Sequence, residues 1–277
     1  MHGENVKIGV MKCLVRILAI VAVAVSFPGC AKAQYDVKPP VIAAVDAPQL
    51  SFNIITKYPH DPAAFTEGLF WSDGNLYEST GLLGQSALRK VNLKTGKVLL
   101  QRRLPNDVFG EGIAMMDDKI VQLTWQKQRA YLYDSKDFNV IGTLNYQGEG
   151  WGLTTDGKSW ISSNGSDVLT WRDAKTFAPQ RSVQVIWNGQ PVKNLNELEW
   201  IDGKIWANIW YTNWILQIDP QSGKVLSYID IKSLVPSNAD PEDVANGIAY
   251  DSVTKRIFLT GKRWPTLYEI QFDASDK

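Results

Sequence analysis

The sequence has few residues of the kinds that most often supply nucleophiles and metal ligands. Its 277 residues include two cysteines and two histidines. Both cysteines, Cys13 and Cys30, lie in an N-terminal segment that resembles an export signal. Removal of that segment would leave a chain without thiols, which excludes disulfides, cysteine nucleophiles and thiolate metal sites.

Histidine is nearly as scarce, since only His60 follows that segment. A histidine-rich zinc site and an HExxH helix are therefore absent. A Ser-His-Asp triad would depend on His60 alone, and no Gly-x-Ser-x-Gly elbow is present. P-loop and dinucleotide fingerprints are also missing. His60 precedes Asp61-Pro62, and we expect it to be a surface or hinge residue in a loop.

An excess of charge of either sign is also lacking, because the formal net charge is +0. The chain therefore has no basic footprint for nucleic acid. After the N-terminal segment no apolar run is long enough to span a bilayer. Hydrophobic residues make up 44% of the chain, enough for a sizeable core, and 11 Trp and 21 Gly favour an all-β protein with many turns.

Residues 1–33 are predicted to be a cleaved signal peptide. Lys7, Lys12 and Arg16 precede an apolar run over residues 17–27, and Ala31-Lys32-Ala33 follows as a small-residue cleavage site. We expect an exported protein, periplasmic or secreted.

Cleavage after Ala33 would leave Gln34 as the first residue, with residues 34–49 as an extended lead-in. A second processing route is open, because Gly29-Cys30 resembles the end of a lipoprotein box. Phe27 and Pro28 fit that box poorly, so lipid anchoring through Cys30 is the less favoured route.

A unit of roughly 40–45 residues recurs along the chain after the lead-in. Each unit opens with a small or polar step, continues through an apolar run and a turn such as Asp73-Gly74 or Asp202-Gly203, and enters three further short runs. The openings are Phe65-Thr66-Glu67-Gly68-Leu69, Phe109-Gly110-Glu111-Gly112-Ile113, Gly150-Trp151-Gly152-Leu153, Asn196-Glu197-Leu198-Glu199-Trp200 and Asn246-Gly247-Ile248-Ala249-Tyr250.

Four short strands per unit are typical of a propeller blade. The last unit lacks a fourth strand, and the segment Leu50 to Ile55 before the first unit lacks a partner. We therefore predict a single five-bladed β-propeller over residues 50–277, closed by an N-terminal strand in the last blade. A β-sandwich with accidental self-similarity is the alternative.

The first residues of the units and the ends of the following strands are predicted to meet at one end of the channel. These residues are Glu67, Glu111, Trp151, Asn196, Glu197, Asn246, Trp125, Gln126, Asn164, Trp210 and Lys262. Carboxyls, amides, one ammonium and indole walls make a compact pocket of the kind that holds small ligands. A structural role for any single acid, as a cap for backbone amides, is equally open.

At these residues the sequence resembles the metal-independent glutaminyl-peptide cyclotransferases of plants and bacteria. The resemblance covers Leu50 to Phe272 and rests on the order and spacing of several motifs. These are the five openings, Leu123-Thr124-Trp125, Asn208-Ile209-Trp210 and Gly261-Lys262-Arg263-Trp264-Pro265. It implies a five-bladed propeller that converts an N-terminal glutamine of peptides or proteins into pyroglutamate and releases ammonia.

The resemblance also implies roles for individual residues. Glu111 would be the main acid/base, assisted by Lys262 and Asn196. The substrate pocket would be shaped by Phe65, Phe109, Trp125, Trp151 and Trp210, with Gln126 as a further donor. Glu67 departs from the plant pattern, which commonly has Gln there; it would hold the substrate ammonium or share proton transfer.

No cofactor is expected to be required, although a structural divalent cation in the channel is left open. We expect a monomer that acts on peptides beginning with glutamine. Two other functions remain: a non-catalytic propeller that binds peptides or sugars, and a metal-dependent, lactonase-like propeller hydrolase. The hydrolase would need a bound divalent ion.

Overall fold

Tight turns divide the chain into short strands. Asp73-Gly74, Asp117-Asp118 and Asp202-Gly203 each join two antiparallel strands through two residues, all with φ between 46° and 81°. Two successive positive φ values define the hairpin turn whose twist matches that of the flanking strands, and Asp and Gly tolerate this conformation best. The turns predicted from the sequence are therefore hairpin turns.

The structure is a computed structural model that describes residues 47–273. Strand β1 (Phe52–Pro59) comes first. Blade 1 contains β2 (Thr66–Ser72), β3 (Asn75–Thr80), β4 (Ala87–Val91) and β5 (Val98–Arg103). Blade 2 contains β6 (Gly110–Met116), β7 (Lys119–Thr124), β8 (Arg129–Asp134) and β9 (Val140–Asn145).

Blade 3 contains β10 (Leu153–Thr155), β11 (Ser159–Ser162), β12 (Val168–Asp173) and β13 (Pro179–Gln184). A small hairpin of β14 (Ile186–Trp187) and β15 (Gln190–Pro191) follows. Blade 4 contains β16 (Leu195–Ile201), β17 (Lys204–Ile209), β18 (Trp214–Ile218) and β19 (Val225–Asp230), and a 3-10 turn covers Lys232–Leu234. Blade 5 contains β20 (Ala245–Asp251), β21 (Arg256–Gly261) and β22 (Thr266–Phe272).

The predicted all-β, five-bladed fold is confirmed. Strand β1 is the outer strand of blade 5 and runs antiparallel to β22, with Phe52 opposite Phe272. It begins two residues later than the segment predicted from the sequence and extends to Pro59. The small hairpin and the 3-10 turn were not predicted, because neither repeats from unit to unit.

The predicted signal peptide (residues 1–33) and most of the predicted lead-in (34–49) lie outside the described residues. Its last residue, Gln49, forms an isolated bridge with Tyr228 of β19. Within residues 47–273 no helix is long and apolar enough to cross a membrane. Export and the monomeric state stay predictions.

The first strand of each blade is here called the inner strand. The inner strands of neighbouring blades lie so close together that some positions between them have no room for a side chain. A Cβ atom at Gly112 would lie 2.5 Å from the backbone nitrogen of Leu153 in the next blade. The Gly112 amide instead donates to the Trp151 carbonyl at 2.6 Å. Between blades 5 and 1, Asn246 Nδ2 donates to the Thr66 carbonyl at 2.9 Å. Apolar clusters between the blades, with buried Trp160, Phe177, Trp206 and Phe258 among their members, complete the core.

Blade 4 carries Glu197 at the position that glycine occupies in the other blades. Its buried carboxyl accepts the backbone amides of Leu69 (3.2 Å) and Ile248 (3.0 Å), so one side chain joins three inner strands. Burial raises the pKa of Glu197 well above its usual range, and neighbouring Glu199 adds to that rise. Glu197 is therefore a structural acid near the axis.

Glu199 makes a testable contribution to the pH dependence of stability. Burial raises its pKa to about 8, although the Tyr250 amide donates to its carboxyl at 3.0 Å. The unfolded chain loses this proton near pH 4.3, so the stability that neutral Glu199 contributes is full below that pH and is lost as the pH rises towards 8. The limiting slope for one such group is about 1.4 kcal/mol per pH unit.

We expect Glu199→Gln, which cannot titrate, to flatten the decrease in Tm between pH 5 and pH 8. The measurement is thermal unfolding followed by circular dichroism across that range. Parallel Tm curves for the variant and the wild type would contradict this assignment.

Candidate active site

β-Bulges at the start of the inner strands interrupt the alternation of side chains between the two faces of the sheet, and four polar side chains lie at these bulges. The pairing registers shift at Glu67 in β2, Glu111 in β6, Asn196 in β16 and Asn246 in β20. Such bulges re-aim side chains and are frequent beside functional sites. Trp151, just before β10, holds the same place in blade 3. The repeat alignment therefore predicts equivalent positions correctly, although it does not reveal the bulges.

The ends of the second strands meet these positions because the two strands are antiparallel. Trp125, Trp210 and Lys262 each follow a second strand, and their backbone amides donate to residues just before the inner strand at 2.9–3.1 Å. The acceptors are the carbonyls of Phe109, Asn194 and Val244. An equivalent backbone hydrogen bond therefore positions a different side chain in each of these three blades.

Lys262 and Glu67 form a buried ion pair between blades 5 and 1. Lys262 Nζ donates to Glu67 Oε1 at 2.7 Å, and their side chains are 6% and 3% exposed. Asn246 Nδ2 lies 3.2 Å from the other carboxyl oxygen. The ammonium also sits 4.5 Å from the centre of the Phe65 ring. Burial raises the pKa of Glu67, and the Lys262 ammonium offsets part of that rise.

Glu111 is a buried carboxyl with a different environment. Within residues 47–273, no hydrogen bond from another side chain or a backbone amide to its carboxyl is observed. Burial raises its pKa well above the usual range, the charges of Glu67 and Glu149 raise it further, and the charge of Lys262 opposes them. Glu111 therefore lies within range of the charges of Glu67 and Lys262, and burial favours its neutral form.

Five aromatic side chains, here called the aromatic arc, follow the rim from blade 1 to blade 4. Phe65 contacts Phe109 edge to face with ring centres 6.2 Å apart, and Phe109 contacts Trp125 at 5.9 Å. Further along, Trp151 and Trp210 meet edge to face at 5.2 Å. The structure thus brings together the aromatic residues predicted to shape a pocket, in two groups.

Glu149 connects the two groups and was missed at the sequence level. One carboxyl oxygen, Oε2, accepts the indole N–H of Trp125 at 2.9 Å and that of Trp151 at 3.0 Å. Gln126 Nε2 donates to the other oxygen at 3.1 Å and is itself exposed. A signal existed, because Glu149-Gly150 repeats the Glu-Gly step of other units, but it stands two residues before the aligned position.

Asn196 has an unusual amide. The residue is 3% exposed, and its side-chain oxygen is buried with no hydrogen-bond partner among the described residues. Buried polar atoms are normally paired, so an unpaired one beside a site is a candidate contact for a ligand. Within residues 47–273 no group of three His, Cys, Asp or Glu side chains is arranged as metal ligands would be.

His60 is not the surface residue expected from the sequence. Its side chain is 7% exposed, with Nε2 at 2.9 Å from Glu78 and Nδ1 at 2.6 Å from the Trp264 carbonyl. Burial alone would lower the pKa of His60, but the Glu78 carboxylate and the Trp264 carbonyl raise it above its usual value. His60 and Glu78 therefore brace the turn that carries Lys262, while Thr66 Oγ1 donates to the same Glu78 oxygen at 2.8 Å.

The protein is thus a five-bladed propeller whose blades contribute a buried acid, a buried ammonium–carboxylate pair and several aromatic side chains. Residues 21–272 match the glutamine cyclotransferase family. The chain belongs to that family.

Two relatives support this assignment. The chain is 39% identical over 224 residues to a glutaminyl-peptide cyclotransferase from Arabidopsis thaliana, covering 79% of this chain and 70% of the relative. It also resembles the crystal structure of Myxococcus xanthus glutaminyl cyclase, with 37% identity and a TM-score of 0.78. That match covers 82% of this chain and 99% of the other.

Proposed function

We propose that this protein is a glutaminyl-peptide cyclotransferase, which converts the N-terminal glutamine of peptides and proteins into pyroglutamate and releases ammonia without a metal. Membership of the family and the two relatives support the activity. The observation that carries the mechanism is the buried Glu111 carboxyl, whose pKa is raised by burial and by the charges of Glu67 and Glu149, as suits a general acid/base.

The nucleophile in this reaction is the α-amine of the substrate itself. Its reference pKa is about 7.7–8.0, so a usable neutral fraction exists near pH 7 without metal activation. The amine must meet the γ-carboxamide carbon of the same residue, so the side chain has to fold back on itself. The aromatic arc holds that compact shape and so contributes proximity and orientation.

Glu111 carries the proton between the two nitrogens. As the amine attacks, a C–N bond forms and the attacking nitrogen becomes positive. Glu111 takes one proton from that nitrogen and gives one to the departing amino group, and the old C–N bond breaks as ammonia leaves. No net proton is consumed, because the carboxyl returns to its starting state.

Lys262 and Asn196 stabilise the charges that develop on the substrate. Lys262 donates to the oxyanion of the tetrahedral intermediate, while Glu67 holds Lys262 Nζ in place at 2.7 Å. The unpaired amide oxygen of Asn196 accepts an N–H of the substrate. In this proposal Glu67 acts through Lys262, as a positioning residue.

The test is an ammonia-release assay on a short peptide with N-terminal Gln in the presence of EDTA. We expect full activity with EDTA, a loss of mass from the peptide equal to that of the ammonia released, and no reaction of the same peptide beginning with Ala. Ammonia release that EDTA abolishes and a divalent ion restores would overturn the metal-free mechanism. Binding of the peptide without turnover would favour a non-catalytic propeller.

A further inference from the structure

Glu149 lies at the one break in the aromatic arc. The rings of Phe65, Phe109 and Trp125 contact one another, as do those of Trp151 and Trp210. Between Trp125 and Trp151 the link is instead polar: both indole N–H groups converge on Oε2 of Glu149, at 2.9 and 3.0 Å.

The two indoles come from different parts of the fold. Trp125 follows the second strand of blade 2, and Trp151 precedes the inner strand of blade 3. Glu149 lies in the connection between these blades, and Gly148 beside it has a φ of 82°. Two donors on one oxygen fix the relative orientation of two large rings, because hydrogen bonds are directional and both indole N–H groups must point at the same atom.

We propose that Glu149 is a positioning residue that holds Trp125 and Trp151 together, so that the aromatic arc forms one continuous wall for the folded glutaminyl side chain. This inference rests on the proposed function. Glu149 needs no contact with the substrate, because it acts through the two indoles. The exposed Gln126 amide, 3.1 Å from Oε1, holds the other side of the carboxylate.

Three variants distinguish the effect of side-chain length at residue 149 from the effect of its charge. Glu149→Gln keeps a carbonyl oxygen at the same distance from the backbone and loses the charge. Glu149→Asp keeps the charge but is one methylene shorter, so it cannot reach both indoles. Glu149→Ala removes the acceptor altogether.

The expected order of KM for a Gln-peptide depends on whether the side chain at residue 149 can contact both indole N–H groups. We expect Glu149→Gln to stay within about threefold of the wild type, and Asp and Ala to raise KM about tenfold or more with smaller changes in kcat, because the arc contacts the substrate before and during reaction. The opposite order, with Asp near the wild type and Gln impaired, would overturn the proposal in favour of a charge effect. Unchanged KM with reduced kcat in all three would show that Glu149 only supports the fold.

A second measurement does not depend on activity. The indole Nε1–H resonances of Trp125 and Trp151, assigned with Trp→Phe variants by nitrogen–proton NMR, should move upfield in Glu149→Asp and Glu149→Ala and little in Glu149→Gln. Asp107→Asn is the matched control, since Asp107 is a rim acid that pairs with Lys127 at 2.8 Å instead of an indole. It should change neither KM nor these resonances.

These outcomes keep the two proposals apart. If the wild type released no ammonia from Gln-peptides, the proposed function would fail, whereas the indole resonances would still report whether Glu149 holds the rings. Resonances that do not move in Glu149→Asp or Glu149→Ala would overturn the inference even in an active enzyme.

Discussion

Replacing Glu111 by glutamine is expected to lower kcat for a Gln-peptide by at least about 100-fold, and to leave KM within a few-fold of the wild-type value. Glutamine has nearly the same shape as a glutamate side chain but cannot take up or release a proton in this range. The substrate pocket therefore stays intact, whereas the transfer from the attacking to the departing nitrogen loses its carrier.

Folding of this variant should be undisturbed, because burial already favours the neutral form of Glu111. A neutral amide in place of a neutral acid creates no unpaired charge. The measurement is steady-state kinetics with ammonia detection, accompanied by thermal unfolding. A folded Glu111→Gln variant with a wild-type kcat would show that the acid/base group lies elsewhere.

Glu199→Gln is the matched control for this experiment. Glu199 is also an inner-strand glutamate with a raised pKa, but its carboxyl caps the Tyr250 amide instead of facing the site. Its replacement should alter the pH dependence of Tm and leave kcat near the wild-type value. Loss of kcat in both variants would show that removal of any buried carboxyl from this ring disturbs the site.

The sequence was sufficient to predict the blades because their signals repeat. Turn residues such as Asp73-Gly74 and Asp202-Gly203 and openings such as those at Glu67 and Glu111 recur in the same order from unit to unit. Antiparallel pairing then places the end of each second strand beside the opening of its own blade. The positions of Trp125, Trp210 and Lys262 follow from that topology alone. The prediction needed no knowledge of side-chain contacts.

Features specific to one blade were not predictable in this way. Glu149 stands two residues before the aligned position of its unit, so the repeat did not assign it to the site, and its two indole bonds could not be predicted. Glu197 takes the place of a glycine, and its role depends on amides in two other blades. His60 stands beside Asp61-Pro62, which suggested an exposed loop, yet Glu78 from β3 encloses it.

The Glu67–Lys262 pair shows why the site chemistry needed coordinates. Its partners are 195 residues apart in the chain, and they meet only because blades 5 and 1 are neighbours. Sequence therefore left Glu67 with two possible roles. The Glu67 carboxylate, 2.7 Å from the ammonium, gives Lys262 a fixed position.

Removal of the Lys262 ammonium, as in Lys262→Met, should have two separable effects. It leaves Glu67 buried and unpaired, and loss of one partner from a buried pair destabilises a fold by on the order of 3–5 kcal/mol. It also removes the donor assigned to the oxyanion, which lowers kcat by about 100-fold or more. The single variant alone cannot distinguish these effects.

The double variant Lys262→Met/Glu67→Gln distinguishes them. A neutral amide at residue 67 needs no counter-ion and still accepts from Asn246 Nδ2, which lies 3.2 Å from the present carboxyl. We therefore expect Tm to recover most of its loss, whereas kcat stays about 100-fold or more below the wild type. Recovery of kcat together with Tm would mean that Lys262 serves only to neutralise Glu67, and the oxyanion donor would then have to be sought among the amides of the site.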